Sequence, residues 1–287
     1  MIRKKNIRAL VILLAILGLL MSYQLRKVPE LSMDTLVTVL PPELENLSDT
    51  GIGPQLFEKQ IKVPIFLYHY VEYVKNDPKK ENFATPPNVL QAQIKTLKTA
   101  GYTFVAPDDL IKDLLGELVL PKKIIILSFD DGYSDFYTDV FPILKKEKVK
   151  AVVYVVANFL NQENYLSTFQ VKEIAKSSLV EIGSHTLNHT WLKDINKKTA
   201  EYEIAQSKKV LEDMTGLSVN SFAYPYGALD RRTINMVKNA GYTNAVSTIP
   251  GIKQTIRNKF FLYRLRPGYK TGMELIKFLA QEDFKPW

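Results

Sequence analysis

The chain of 287 residues has no cysteine, only three histidines and only two tryptophans. Without cysteine there are no disulfides, thiol nucleophiles or cysteine-held zinc sites. Acidic residues are missing from the first 27 positions, which carry Arg3, Lys4, Lys5, Arg8, Arg26 and Lys27. Removing these six from the 38 Lys and Arg leaves 32 basic against 30 acidic residues. The net charge of +8 therefore belongs mainly to the N-terminus, and nucleic-acid binding is not expected. No Gly-rich phosphate loop and no Ser-His-Asp arrangement is evident.

Residues 9–21 are all apolar or Gly and follow the basic cluster. That length fits a signal-peptide core of about 7–15 apolar residues and is short for the roughly 20 of a spanning helix. Ser22, Tyr23 and Leu25 extend it through an interface, and the bulky Tyr23-Gln24-Leu25 makes a poor peptidase site. Residues 1–25 are expected to form an N-terminal membrane-anchor helix, with a cleaved signal peptide as the alternative. The flanking positive charge stays in the cytoplasm, which puts the rest of the chain outside, anchored at the cell membrane or secreted. Residues 26–61 contain Pro41-Pro42 and Gly51-Ile52-Gly53-Pro54 without sustained periodicity and read as a linker. Residues 62–287 read as the folded domain.

Within that domain, Ile124-Ile125-Ile126-Leu127 shows no polar alternation, so 122–129 reads as a strand buried on both faces. Strand patterns also cover 63–71, 151–157, 179–183, 220–224, 243–247 and 260–265. Helix patterns fall at 87–100, 136–148, 170–176, 197–215, 230–240 and 272–281, with a short one after Pro107. Pro142 must lie in the first turn of its helix or kink it. Repeated alternation of this kind predicts an α/β fold with a mainly parallel sheet, open or closed into a barrel. About seven units suit a barrel slightly smaller than the eightfold one.

In such folds functional groups collect at the carboxyl ends of strands. Asp130-Asp131-Gly132 follows one predicted strand, His185 and His189 follow another, and Tyr224-Pro225-Tyr226-Gly227 a third. If the His-x3-His segment is one turn of helix, both imidazoles lie on the same side. Two imidazoles and one carboxylate make a facial ligand set with positions left for water and substrate. The second aspartate is then free to take a proton from water. Singly, these motifs suit two surface histidines and a simple turn. Together, at separate strand ends, they point to a metal-assisted hydrolase.

Ser-Phe-Asp-Asp-Gly (128–132), His-Thr-Leu-Asn-His (185–189) and Phe-Ala-Tyr-Pro-Tyr-Gly (222–227) resemble the motifs of polysaccharide deacetylases with a NodB-homology domain, carbohydrate esterase family four. The resemblance spans roughly residues 62–270. It implies a distorted (β/α) barrel that removes N-acetyl groups from polymeric amino sugars with a divalent metal. Zinc is the first expectation, and cobalt, nickel and iron also suit the ligands. By resemblance, Asp130 is the general base, and Asp131, His185 and His189 hold the metal. Pro225 and Tyr226 form the substrate and oxyanion segment, Tyr226 through its backbone N–H. The alternative for Tyr226 is a plain turn residue packed on the rim.

The chain departs from the family pattern twice. The arginine that many members carry two residues before the proline of the third motif is replaced by Ala223. No histidine follows His189 to serve as the general acid near the C-terminus. The remaining candidate acid is His69, in Leu67-Tyr68-His69-Tyr70-Val71. This arrangement is similar to biofilm-type poly-N-acetylglucosamine deacetylases, whose barrel is circularly permuted. A lone strand histidine otherwise reads as a satisfied core residue. Strand alternation puts Arg264 and Arg266 on one face, and Arg264 is chosen to hold Asp130 ionised; a surface arginine is the alternative. Trp191 reads first as core and second as a sugar-stacking residue. The expected partners are an acetylated amino-sugar polysaccharide and, through the N-terminal helix, the membrane. Other readings are a peptidoglycan N-acetylglucosamine deacetylase, an O-acetyl esterase, or a non-catalytic carbohydrate-binding barrel. The intact Asp-Asp-His-His set argues against the last.

Overall fold

The computed structural model describes residues 59–281 and 283–285. The expected anchor and nearly all of the linker lie outside these residues. Among the described residues, no helix is long and apolar enough to cross a membrane.

The elements run β1 (Ile61–Lys62), β2 (Ile65–Tyr68), α1 (Pro78–Glu81), α2 (Pro87–Thr99), β3 (Thr103–Phe104), α3 (Pro107–Leu114) and β4 (Ile124–Phe129). They continue with α4 (Phe141–Glu147), β5 (Ala151–Val155), α5 (Thr168–Lys176), β6 (Val180–Ser184), α6 (Lys197–Thr215) and β7 (Ser221–Ala223). The last are α7 (Arg231–Asn239), β8 (Asn244–Pro250), β9 (Lys253–Gln254), β10 (Leu262–Arg264) and α8 (Gly272–Leu279). Seven strands pair in parallel in the order β10-β8-β7-β6-β5-β4-β2. The ring nearly closes where Leu67 N–H donates to Leu265 O and Leu265 N–H donates to Ile65 O, each at 2.8 Å. The first and last strands of the barrel are therefore neighbours.

The aliphatic runs form strands because both of their faces are covered, and alternation divides their side chains. Ile124, Ile126, Val152 and Tyr154 join Ile65, Ala223, Val246 and Leu262 in the cluster that fills the barrel. Ile125, Leu127, Phe129, Val153 and Val155 join Leu90, Ile94, Ile174, Ile204 and Val237 in the larger cluster under the helices. Leu110, Ile111 and Leu114 of α3 belong to the inner cluster, so this helix plugs the end where the strands begin. Its Asp108 accepts from Asn220 Nδ2 at 2.6 Å, just before β7. The functional mouth is the opposite end. Gly183 keeps the barrel narrow, since a Cβ there would lie 2.4 Å from the ring of Tyr154.

Several sequence expectations shift. The 136–148 helix begins as a π-helical turn (Phe136–Val140) and becomes α-helical only at Phe141. Pro142 lies in the first turn of α4, directly after the π-helical turn. The 63–71 strand shortens to Ile65–Tyr68, because the chain leaves the sheet at His69. Ile61, expected in the linker, pairs with Gln254 in the small antiparallel β1–β9 ladder.

Candidate metal centre and active site

Three strand ends converge on the mouth. Beyond β4 the chain turns sharply through Asp131 and Gly132, both at φ 73°. Beyond β6, residues 185–190 form an irregular turn with left-handed Thr186 (φ 67°) and His189 (φ 56°). The expected single turn of helix is therefore absent. Glu203 of α6 supplies the reason: its carboxylate accepts from Leu187 N–H and Asn188 N–H at 3.0 Å each, and from Asn188 Nδ2 at 2.7 Å. A side chain thus takes up the turn's backbone donors in place of a helical ladder. The two imidazoles still meet, with ring centroids 4.8 Å apart. Beyond β7, Tyr226 is left-handed (φ 59°), and a Cβ on Gly227 would fall 1.9 Å from Thr248 Oγ1. Asp131, His189 and Tyr226, which all line the cavity, thus share left-handed backbone.

Asp131 Oδ1 lies 3.4 Å from His185 Nε2 and 3.1 Å from His189 Nε2. The candidate ligand atoms of these residues all fall within 4.8 Å of one another. Asp131 Oδ1 is buried and has no hydrogen-bond partner. His185 Nδ1 lies 2.7 Å from Ala223 O, a contact that requires the proton on Nδ1 and leaves the Nε2 lone pair facing Asp131. A buried orphan carboxylate oxygen opposite imidazole lone pairs is a donor set that fits a divalent cation. Burial alone would raise the pKa of Asp131, but the imidazoles of His185 and His189 outweigh it and hold the carboxyl well below the usual range. Burial likewise would lower His185, and Asp131 with Asp130 turns the shift upward.

Asp130 sits inside the barrel rim, on the alternation of Ile124, Ile126 and Ser128. Arg264 grips it in a two-pronged pair, Nη1 to Oδ1 at 2.7 Å and Nη2 to Oδ2 at 2.8 Å. Arg264 is fully buried, and it also donates to Ser247 O at 2.7 Å and Ser128 Oγ at 3.3 Å. Burial pushes Asp130 up, but the guanidinium charge wins and holds it below its ordinary value. Arg264 is thus a buried partner of Asp130 and not a surface arginine.

His69 follows β2 directly and presents its ring edge-on to Phe83, with centroids 5.2 Å apart. Burial lowers its pKa; Arg266 and Arg264 lower it further, against the pull of Asp131 and Asp130. Its segment is tied to the Asp130–Asp131 loop at two points. Val71 N–H donates to Asp135 Oδ2 at 2.7 Å, and the hydroxyls of Tyr70 and Tyr133 meet at 2.7 Å.

One cavity of about 850 Å³ is lined by His69, Asp130, Asp131, His185, His189 and Tyr226, with Tyr133 and Arg266 among its other walls. Arg264 stands behind Asp130, and Pro225 is buried behind Tyr226, so neither lines it. Trp191, expected first as core, is 46% exposed beside Tyr226. The residue after it, Leu192, turns into the core in its place. Glu203 and Asp135 were missed as supports of the site. The one sequence signal for Glu203 is an acid on the stripe Ala200, Ile204, Ser207 and Leu211, which α6 buries.

Residues 118–245 match the family described as polysaccharide deacetylase. YxkH of Bacillus subtilis is 29% identical over 213 residues, covering 74% of each chain. The poly-β-1,6-N-acetyl-D-glucosamine N-deacetylase of Staphylococcus aureus is 26% identical over 228 residues, 74% of this chain and 77% of that one. The Streptococcus pyogenes deacetylase PplD superposes with a TM-score of 0.71 at 26% identity, over 78% of this chain and 100% of that one.

Proposed function

We propose, from the match of residues 118–245 to the polysaccharide deacetylase family, that the chain is a metal-dependent N-deacetylase of β-1,6-linked poly-N-acetylglucosamine outside the cell. The observation that carries this reading is one cavity holding an arginine-clamped carboxylate beside a three-residue cation site. A binding module needs no such spare base. The named activity of the Staphylococcus aureus relative supports the choice of polymer. A candidate acid, His69, directly after the first strand of the barrel supports it too. The basic-flanked apolar run at residues 9–21 supports anchoring at the membrane with the catalytic domain outside.

Asp131, His185 and His189 would hold the ion, with zinc the first choice for two imidazoles and a carboxylate. When bound, the ion polarises the acetyl carbonyl and makes water more acidic. Asp130 removes the proton from the attacking water. Arg264 keeps that carboxylate ionised beforehand and aims it. The Tyr226 N–H steadies the negative charge that develops on the carbonyl oxygen. His69 gives a proton to the departing sugar nitrogen, which cannot leave as an amide anion. Its lowered pKa makes the imidazolium a stronger donor.

Acetate release from β-1,6 and β-1,4 N-acetylglucosamine oligomers tests the reading. Faster release from the β-1,6 series, abolished by chelator, is expected. Preference for β-1,4 oligomers would move the assignment to peptidoglycan-type substrates. No release from either would remove it.

A further inference from the structure

We infer that Trp191 and Tyr226 form a stacking platform for a second sugar of the polymer, next to the residue held at the metal centre. This inference rests on the deacetylase reading and extends it to two side chains, the Trp191 indole and the Tyr226 ring, that the proposed steps do not use.

The two rings stand side by side with centroids 5.9 Å apart and planes 37° from parallel. Tyr226 is 62% exposed and Trp191 46%, so neither contributes its full area to the core. Water-facing aromatic faces at the edge of a polar cavity are what a ligand of mixed character needs. A pyranose ring has such a character, with apolar C–H faces and hydroxyls around its edge. The platform is continuous with the reaction centre. Tyr226 lines the cavity, and its ring lies 4.5 Å from that of His189.

The platform is also held in position before any ligand arrives. Trp191 Nε1 donates to Asp194 Oδ2 at 3.3 Å, fixing the edge of the indole. Arg232 of α7 donates to Leu192 O at 2.8 Å and Ile195 O at 3.0 Å, bracing the segment on the far side of the ring. Leu192 is fully buried beneath it. A braced loop that turns Leu192 inward and Trp191 outward spends no binding energy on ordering the aromatic face.

The position suits a polymer. His69 follows β2 and Tyr226 follows β7, which lie three strands apart one way round the ring and four the other. The proposed acid and the platform therefore face each other across the mouth. A chain laid across it presents one sugar nitrogen to His69 while a neighbouring ring covers Trp191. The platform is therefore expected to favour an oligomer over a single N-acetylglucosamine.

Tryptophan emission reads this directly, because the other tryptophan is Trp287. The metal-loaded, full-length chain carrying Trp287→Phe and Asp130→Asn, which slows turnover, is titrated with a β-1,6 N-acetylglucosamine pentamer and with the monomer. Saturable blue-shifted emission with the pentamer and none with the monomer is expected. In the otherwise unaltered enzyme, Trp191→Ala should raise KM for the pentamer about five- to tenfold, and Trp191→Phe should recover most of it. A silent emission spectrum, an equal response to monomer and pentamer, or an unchanged KM in Trp191→Ala overturns the platform. Acetate release with silent emission leaves the deacetylase reading standing and removes only the platform. An emission shift without acetate release supports the platform and removes the deacetylase reading.

Discussion

Arg264 is the residue on which the proposed base depends. A fully buried guanidinium and a carboxylate exposed by only 4% gain their attraction in a low dielectric, but each loses its hydration. The pair is tolerable because the guanidinium spreads its donors over Asp130, Ser247 and Ser128. Arg264→Leu leaves Asp130 charged and unpaired, so thermal or denaturant unfolding should show a loss of about 3–5 kcal/mol. The double substitution Asp130→Leu with Arg264→Leu should regain part of that loss while acetate release stays absent. Equal stability of Arg264→Leu and the unaltered chain would mean that the pair is not the structural and electrostatic unit described here.

At the scale of elements, the site is three strand exits bent into unusual backbone and held there by neighbours. Glu203 on α6 is the brace for the exit that carries both histidines. Glu203→Gln keeps the shape but weakens the acceptor, and one amide donor then faces the N–H groups it used to serve. Metal affinity should fall roughly tenfold to a hundredfold, as for other supports of ligating histidines. Titration with Zn²⁺ checks this, and unchanged affinity would show that the turn holds itself. Strands and helices were legible in the sequence where periodicity was strong. Residues 197–215 carried a helix pattern, and α6 spans that range. The Asp130-Asp131 and His185-His189 groups were legible because polar residues ended apolar runs. The turn at 185–190 was not, because its geometry is set by Glu203, a carboxylate that reaches it from another element. Nor was the exposure of Trp191, which depends on Leu192 taking the inward position.

For the whole molecule, the barrel has one reactive end and one plugged end, and buried acids lie towards both. Glu181 stands near the plug, with Oε1 buried and unpartnered, and burial followed by the charge of Asp108 raises its pKa from 4.5 to about 8. Asp135 near the mouth is raised by burial from 3.8 to about 7. A group raised in the folded state binds its proton more tightly there than in the unfolded chain. Its stabilising contribution is whole below the unfolded value and is lost as pH climbs through the folded one. Folding stability should therefore decline between about pH 4.5 and 8, and Glu181→Gln should flatten that decline. Urea melts across this range in both proteins check it, and identical slopes would remove Glu181 as a source. The central claim, that Asp131, His185 and His189 jointly hold one ion while Asp130 serves chemistry, is met most directly by metal content after exhaustive dialysis. The expected result is one divalent ion per chain in the unaltered protein and in Asp130→Asn, and its loss in Asp131→Ala, His185→Ala and His189→Ala. Retention of the ion in any of those three, or its loss from Asp130→Asn, would contradict the division of roles.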